Sequence, residues 1–312
     1  MNQMVNNIKN VFEIQDLGEP SQLLGIKIHR KVDGNIHISQ PSFIDAISNR
    51  FNITAGHPIN TLMDPTIELH ASIEEDMILD VPYASLIGSI NYCAVSTRPD
   101  IAFAVNKCTQ FTSRPNLIHW TAAKRILCYL IQTKDYGIQY GTNEHRVEGY
   151  THCLAGFTDT DFAGDINDRK STSGWIFTYN NSAISWTSKK QTGVFRSTME
   201  AELIAGSSAS AEAVWLMRLA RDFKLSFMPI PIFTDNTSFI SFANNDVNNN
   251  RTKHIDTHYH YTRDQVTLGN IVLHYVHTNE NPADVLMKPL SPRKHACLLA
   301  THDLTMLEEH AA

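Results

Sequence analysis

Apolar and polar positions change period several times along the chain, and each change predicts an element. In QLLGIKIHRKVDGNIHISQ (residues 22–40), apolar residues alternate at Ile26, Ile28 and Val32 and again at Ile36 and Ile38. Asp33-Gly34 stands between the two runs and supplies the positive φ of a tight turn, so a β-hairpin is predicted. Pro41 then opens SFIDAISNRF, where Phe43, Ile44, Ile47 and Phe51 fall at helical spacing. Residues 55–82 are polar and spaced by Pro58, Pro65 and Pro82, which reads as a long loop. Helical stretches follow at about 83–95, 98–112 and 117–133. The last of these puts Leu117, Trp120, Ala123, Ile126, Leu127, Leu130 and Ile131 on one side. Gly137 closes this region and a short strand, GIQY, follows. The first half therefore predicts a mostly helical lobe carrying a hairpin.

The second half changes character. CLAGFTDTD reads as a strand ending in acids. GWIFTYNN and SAISWTSKK alternate and meet at Asn180-Asn181, a second hairpin. A helix over about 198–223 follows, then the strand IPIFTDN, again ending in an acid, and the helix TSFISFANN. A helical stretch at about 254–267, the strand NIVLHYVHT and a helix beginning near Asn281 complete the series. That order predicts a mixed five-stranded sheet: an antiparallel meander first, then strands returned by helical crossovers. The run Asn244 to Asn250 reads as a loop. Trp120, Trp175, Trp186 and Trp215 are expected in the core.

Composition bounds the reading. A chain of 312 residues, 42% hydrophobic and 19% charged, fits two globular domains, or one domain with an extra lobe. The five cysteines are scattered and lack CxxC spacing, which argues against a disulfide framework and a cysteine zinc site and suits a reducing compartment. No apolar run reaches the ~18 residues of a membrane span. The first residues, MNQMVNNIKNVFEIQDLGE, lack the apolar core of a secretory leader, so an intracellular, non-secreted chain is expected. The net charge of −6 is acidic, where a free-standing nucleic-acid binder is more often basic.

Four acids occupy telling positions. Asp159 ends the first strand of the second half, in FTDT, and Asp235 ends a later one, in FTDN. If those strands are parallel neighbours, both carboxylates reach one sheet edge. Glu202 lies one turn into the long helix, and Asp284 lies at the start of the last one, in NPAD. Convergent carboxylates repel one another unless cations sit between them, and hard oxygen ligands suit Mg²⁺ or Mn²⁺. An Asp at a strand end also serves as a turn former or helix cap, so placement alone leaves both roles open. Ser197-Thr198-Met199-Glu200 fits a capping box, which gives Glu200 a structural task and leaves Glu202 as the ligand candidate.

FTDTDFAGDINDRKSTSGWIF, SAISWTSKKQ, STMEAELIAGSSASAEAVWL, FTDNTSFI, RTKHIDTHYH and NENPADVLMKPL occur in this order. As a set they resemble the ribonuclease H domain of copia-type LTR retrotransposon polyproteins, from about residue 149 to the end. FEIQDLGEPSQLLGIKI, HISQPSFIDAISNRF, YASLIGSINYCAVSTRPDIAFAV and HWTAAKRILCYLIQTKDYGIQY are similar to the end of the palm and the thumb and connection of the same family's reverse transcriptase. The resemblance implies an α/β ribonuclease H-like mixed sheet preceded by a mostly helical thumb/connection lobe. It divides the chain into 1–57 (palm end), 58–148 (thumb/connection) and 149–312 (ribonuclease H). It also implies Mg²⁺-dependent cutting of the RNA strand of an RNA–DNA hybrid, with two ions on Asp159, Glu202, Asp235 and Asp284. The Tyr-x-Asp-Asp hairpin of the polymerase is absent, so polymerase activity by this chain alone is not expected. The remainder of a retrotransposon polymerase is an expected partner, in the cytoplasm (a virus-like particle) or the nucleus. A non-catalytic remnant that only binds nucleic acid or partners is the alternative.

Arg169, Lys170, Ser171, Thr172, Lys189, Lys190, Asn236, Arg251, Lys253 and His254 are the candidate substrate contacts, with a solvated surface as the plainer role of the charged ones. Hybrid would be read through shape, phosphates and 2′-hydroxyls. His254 and His258 have the i,i+4 spacing of a zinc pair, but no Glu stands between them as in HExxH and no cysteine is near. His277, seven residues before Asp284, is a candidate for assisting product release or a solvated loop residue.

Overall fold

A computed structural model describes residues 8–13, 15, 17–59, 61–63, 67–73, 77–141, 147–150, 153–244, 256–290 and 304–306. In chain order the main elements are β1 (Gln22–Leu23), β2 (Ile26–Arg30), β3 (Ile36–Ser39), α1 (Pro41–Phe51), α2 (Tyr83–Ser96), α3 (Ala102–Thr109), α4 (Leu117–Gln132) and β4 (Tyr136–Tyr140). The second half contributes β5 (Leu154–Asp161), β6 (Thr172–Tyr179), β7 (Ser182–Lys190), α5 (Thr198–Asp222), β8 (Ile230–Thr234), α6 (Thr237–Asn244), α7 (Asp256–Thr267) and β9 (Ile271–Tyr275). A 3-10 turn at Pro282–Leu286 and the strand β10 (Leu304–Met306) follow.

The predicted hairpin forms, but it is part of an antiparallel sheet in the order β1-β2-β3-β4-β10. Lys31 and Asn35 close its turn through a 2.8 Å backbone bond, Gly34 takes φ 88°, and the Asp33 carboxylate accepts from the Asn35 N–H. Val32 therefore sits in the turn, fully exposed, and not on the strand face its spacing predicted. Helices α1 to α4 bury one core that includes Ile44, Ile47, Leu86, Ile90, Val105 and Ile126. Leu117, expected on the buried face of α4, is exposed because the first turn belongs to the cap. There Asn116 accepts from Ile118 and His119, and the buried His119 ring accepts from the Asn116 N–H. Arg98 and Asp100, both fully buried, form a two-bond ion pair at 2.9 and 2.7 Å, closed by Tyr129 and Thr133.

The second sheet has the mixed order β7-β6-β5-β8-β9 expected from the element order. Strands β5, β6 and β7 are antiparallel; β8 runs parallel to β5, and β9 parallel to β8. Side chains alternate between two covered faces. Trp175 and Phe177 join the core under α5, α6 and α7, while Ile176 packs with Ala183, Val285, Leu286 and Ile138. That second cluster spans the two halves of the chain, because Ile138 lies on β4. Trp186 and Ser182 add bonds to Ala94 and Gln139 across the same junction. Trp215, expected in the core, lies on the exposed side of α5. The four described cysteines are free thiols, and no described helix is long and apolar enough to cross a membrane.

The final helix expected near Asn281 is only the five-residue 3-10 turn. Asn281 caps it by accepting from Ala283, and Pro289 disfavours helical backbone at the residue before it. Helix α5 approaches α6 through Gly206, where a Cβ would overlap the Phe239 ring. An exposed helical Gly→Ala change gains up to ~1 kcal/mol. Here overpacking of ~1–3 kcal/mol wins, so Gly206→Ala is expected to lower stability in urea titration.

Candidate metal centre

Strands β5 and β8 pair in register Gly156 with Ile232 and Phe157 with Phe233. Two residues further on, the same register sets Asp159 beside Asp235 at one edge of the sheet. Helix α5 supplies Glu202. Its N-cap, Ser197, accepts from the Glu200 N–H at 3.3 Å, while the Glu200 carboxylate turns back to the Arg196 N–H at 2.8 Å. Glu200 is thus occupied by the cap, and Glu202 points into the protein, 3% exposed. Oxygens of Asp159, Glu202 and Asp235 all lie within 4.8 Å of one another.

Asp284 arrives from the opposite side of the sheet edge. Asn281 Nδ2 donates to the Thr158 carbonyl at 3.1 Å, tying the 3-10 turn to β5 one residue before Asp159. The turn lies over Gly174, the residue paired with Asp159, where a Cβ would press within 2.8–3.2 Å of Met287, Leu286 and the Ala283 carbonyl. Asp284 is fully buried and its Oδ1 meets Lys288 Nζ at 2.6 Å. It borders Asp159 but is not within the three-acid cluster found among the described residues.

The electrostatics follow from burial. Desolvation, then the Asp235 charge and the neighbouring Asp284, push the Asp159 carboxyl up to about 8, against the Thr160 N–H that donates to it. Glu202 is raised well above the usual range by burial and by Asp159 and Asp235, with a hydrogen bond from Asn236 working the other way. Glu202 Oε2 is buried without a hydrogen-bond partner. Asp235 is half-buried and accepts from Thr278 Oγ1 at 2.6 Å. A buried carboxylate oxygen with nothing to bond, beside two more carboxylates, is a donor set that fits a hard divalent cation.

The other expected contacts divide. Asn236 caps α6 through the Phe239 N–H as well as reaching Glu202. Lys189 and Arg169 are exposed, Arg169 at φ 56°. Lys170 pairs with Asp168, and the buried Ser171 hydroxyl accepts from Ala163. Thr172 is buried at the start of β6. Lys190 is held by Asp165 at 3.0 Å and Asp168 at 2.9 Å. Lys107 from the first half joins Asp165 at 2.6 Å. Burial alone would raise the Asp165 carboxyl, and the two lysines hold it well below the usual range instead. His277 is exposed and caps a short turn by accepting from Asn279. His258 lies 3.1 Å from Ser207 Oγ. Arg251, Lys253 and His254 lie outside the described residues.

Sequence reasoning missed Lys288, Thr278 and Asn281. Lys288 follows Asp284 at i,i+4 and Asn281 precedes Pro282, so both signals were local. A groove of about 720 Å³ runs between the end of β7, α5 and α7, lined by Ser173, Lys189, Lys190, Gln191, Ser207 and Tyr261 among others.

No protein-family model matches the chain. It is 37% identical over 295 residues to the retrovirus-related Pol polyprotein from transposon TNT 1-94 of Nicotiana tabacum, covering 92% of this chain and 22% of that protein. It is 36% identical over 288 residues to the corresponding polyprotein from transposon RE1 of Arabidopsis thaliana, covering 92% and 19%. The chain thus spans about a fifth of the length of these relatives. Among solved structures it is similar to RNase H1 from Halobacterium salinarum NRC-1, at 16% identity and a TM-score of 0.32, covering 43% of this chain and 93% of that one.

The raised carboxyls set a pH dependence. Both folded pKa values lie above the unfolded value of about 4, so their contribution is fully present below about pH 4 and is lost as pH rises, for Asp159 through about 8. In chelator-treated buffer, denaturant titrations should show a site contribution that declines across that window. Glu202→Gln, which removes one of the repelling charges, should flatten the decline.

Proposed function

This chain belongs to the copia-type retrovirus-related Pol polyproteins, and we propose that its second half is their ribonuclease H, cutting the RNA strand of RNA–DNA hybrids. The observation that carries the reading is the convergence of Asp159, Glu202 and Asp235, with a buried Glu202 oxygen left without a partner. These three would hold one divalent cation, and Asp284, beside Asp159, would complete a second position. Two Mg²⁺ ions, or Mn²⁺, supply Lewis-acid charge stabilisation and a nucleophilic water for in-line displacement at phosphorus. The products would be a 5′-phosphate and a 3′-hydroxyl.

The chain's own residues do the remaining work. Asp159 and Asp235, fixed by strand pairing, set the position of the reacting phosphate relative to the sheet edge. Thr278 orients the Asp235 carboxylate, and Asn236 orients Glu202. The groove along β7 and α5 offers Lys189, Ser173 and Ser207 to a sugar–phosphate backbone, in keeping with recognition by shape. No side-chain nucleophile is required. In this reading residues 1–57 and 58–148 are the palm end and the thumb/connection of the reverse transcriptase. They would meet the rest of that polymerase, inside the cell.

The test uses the full chain, a labelled RNA–DNA hybrid, Mg²⁺ or chelator, and Asp235→Asn. Metal-dependent cutting of the RNA strand is expected, with Asp235→Asn losing more than the ~10–100-fold typical of removing an outer partner of a metal ligand. Absence of metal-dependent cutting, or equal cutting by the variant, would replace the enzyme with a non-catalytic binding remnant.

A further inference from the structure

Lys288 is a cation that the fold itself delivers to the metal centre. Its ammonium lies 2.6 Å from Asp284 Oδ1, while its side chain is 38% exposed and that of Asp284 not at all. The contact spans one short turn of chain, from Asp284 in the 3-10 segment to Lys288 just beyond it, and Pro289 ends any continuation. Asp284 borders Asp159, yet only Asp159, Glu202 and Asp235 form the mutually close cluster among the described residues. The fourth carboxylate is therefore already neutralised, and by a group on a flexible stem with a route to solvent.

We propose that Lys288 is a tethered counter-cation that occupies Asp284 in the metal-free chain and must swing outward before a second divalent ion can use that carboxylate. This rests on the reading that divalent cations bind these acids. The Lys288 ammonium pairs with the Asp284 carboxylate at 2.6 Å, whereas Mg²⁺ demands oxygen at about 2.0–2.1 Å. Lysine and a divalent ion on the same carboxylate also repel. Lys288 thus separates the two affinities: a tight position at Asp159, Glu202 and Asp235, and a weaker one that includes Asp284. Because Lys288 acts through Asp284, it is a positioning residue. It keeps the buried acids tolerable before metal arrives and makes the complete centre conditional on cation concentration.

The experiment is calorimetric titration of the full metal-free chain with Mn²⁺ alone, together with thermal melting with and without Mn²⁺. Wild type should show two classes of bound ion, and Asp284→Asn should lose the weaker. Lys288→Met should tighten the weaker class about ten-fold or more, an effect of the size seen for groups adjoining metal ligands. Lys288→Arg, which keeps the charge, should stay near wild type. Lys288→Met should also lower the melting temperature only without metal; a merely structural lysine would lower it equally in both conditions. Should Lys288→Met fail to fold without metal, Lys288→Gln is titrated in its place. Unchanged or weakened second-ion affinity in the neutral variant overturns the role of Lys288 alone. No Mn²⁺ binding by wild type, or binding that survives Asp159→Asn unchanged, overturns the metal-centre reading and this inference with it.

Discussion

The parallel pairing of β5 with β8 is the constraint on which the candidate centre depends. Antiparallel neighbours would carry Asp159 and Asp235 to opposite ends of the sheet. Parallel register, with the Phe157 and Phe233 rings stacked 5.2 Å apart on adjacent strands, carries both to one edge. A parallel neighbour needs a long crossover, and α5 is that crossover. The element that makes the pairing feasible is therefore also the element that supplies Glu202. Gly206, one turn further along α5, lets the helix seat closely against Phe239. One parallel pairing and its crossover thus bring three carboxylates together.

Placing acids in a dry edge is unfavourable, and the surroundings show how the fold bears it. Each carboxylate has a specific partner: the Thr160 N–H for Asp159, Thr278 for Asp235 and Asn236 for Glu202 as donors, and the Lys288 ammonium for Asp284 as an ion pair. The donors do not fully compensate, since Asp159 and Glu202 remain raised and one Glu202 oxygen stays without a bond. A residual deficit of that kind is what cation binding relieves. Full satisfaction by protein donors would have left nothing for a metal to gain. Gly174 matters in the same balance, because only a residue without a side chain lets the Asp284 turn lie against the strand paired with Asp159.

Much of this was legible in the sequence, and the limits were physical. Period-two alternation identified the meander, and acids closing FTDT and FTDN identified the edge. The Ser197 cap separated Glu200 from Glu202 because capping is a local, short-range pattern. Legibility failed where partners are distant in sequence. Val32, Leu117 and Trp215 have apolar side chains at plausible spacing, but a turn, a cap and an uncovered helix side left them exposed. The buried Arg98–Asp100 pair depends on Tyr129 and Thr133, about thirty residues on, and carries no local signature. Lys190 reads as a surface cation until Asp165 is placed beside it.

That last placement bears on the chain's charge. With a net charge of −6, the chain has few cations to offer a phosphate backbone, and the structure commits several of them internally. Lys107 and Lys190 converge on the buried Asp165, joining α3 of the first half to β7 of the second. Lys170 is held by Asp168, and Lys288 by Asp284. Such pairs resist screening in proportion to their burial, so the Asp165 junction acts as a mechanical joint between the halves and not as a phosphate clamp. Exposed Lys189 remains at the groove, whose lining sets the hydroxyls of Ser173, Thr187 and Tyr261 among apolar Phe195, Ile204 and Ala211. A backbone bound there would meet few charges. Binding of that kind loses comparatively little affinity as salt rises, because few counterions are released. The acidic balance is then compatible with the proposed hybrid binding: positive charge is used to fix the two halves, and few cations are left to the groove.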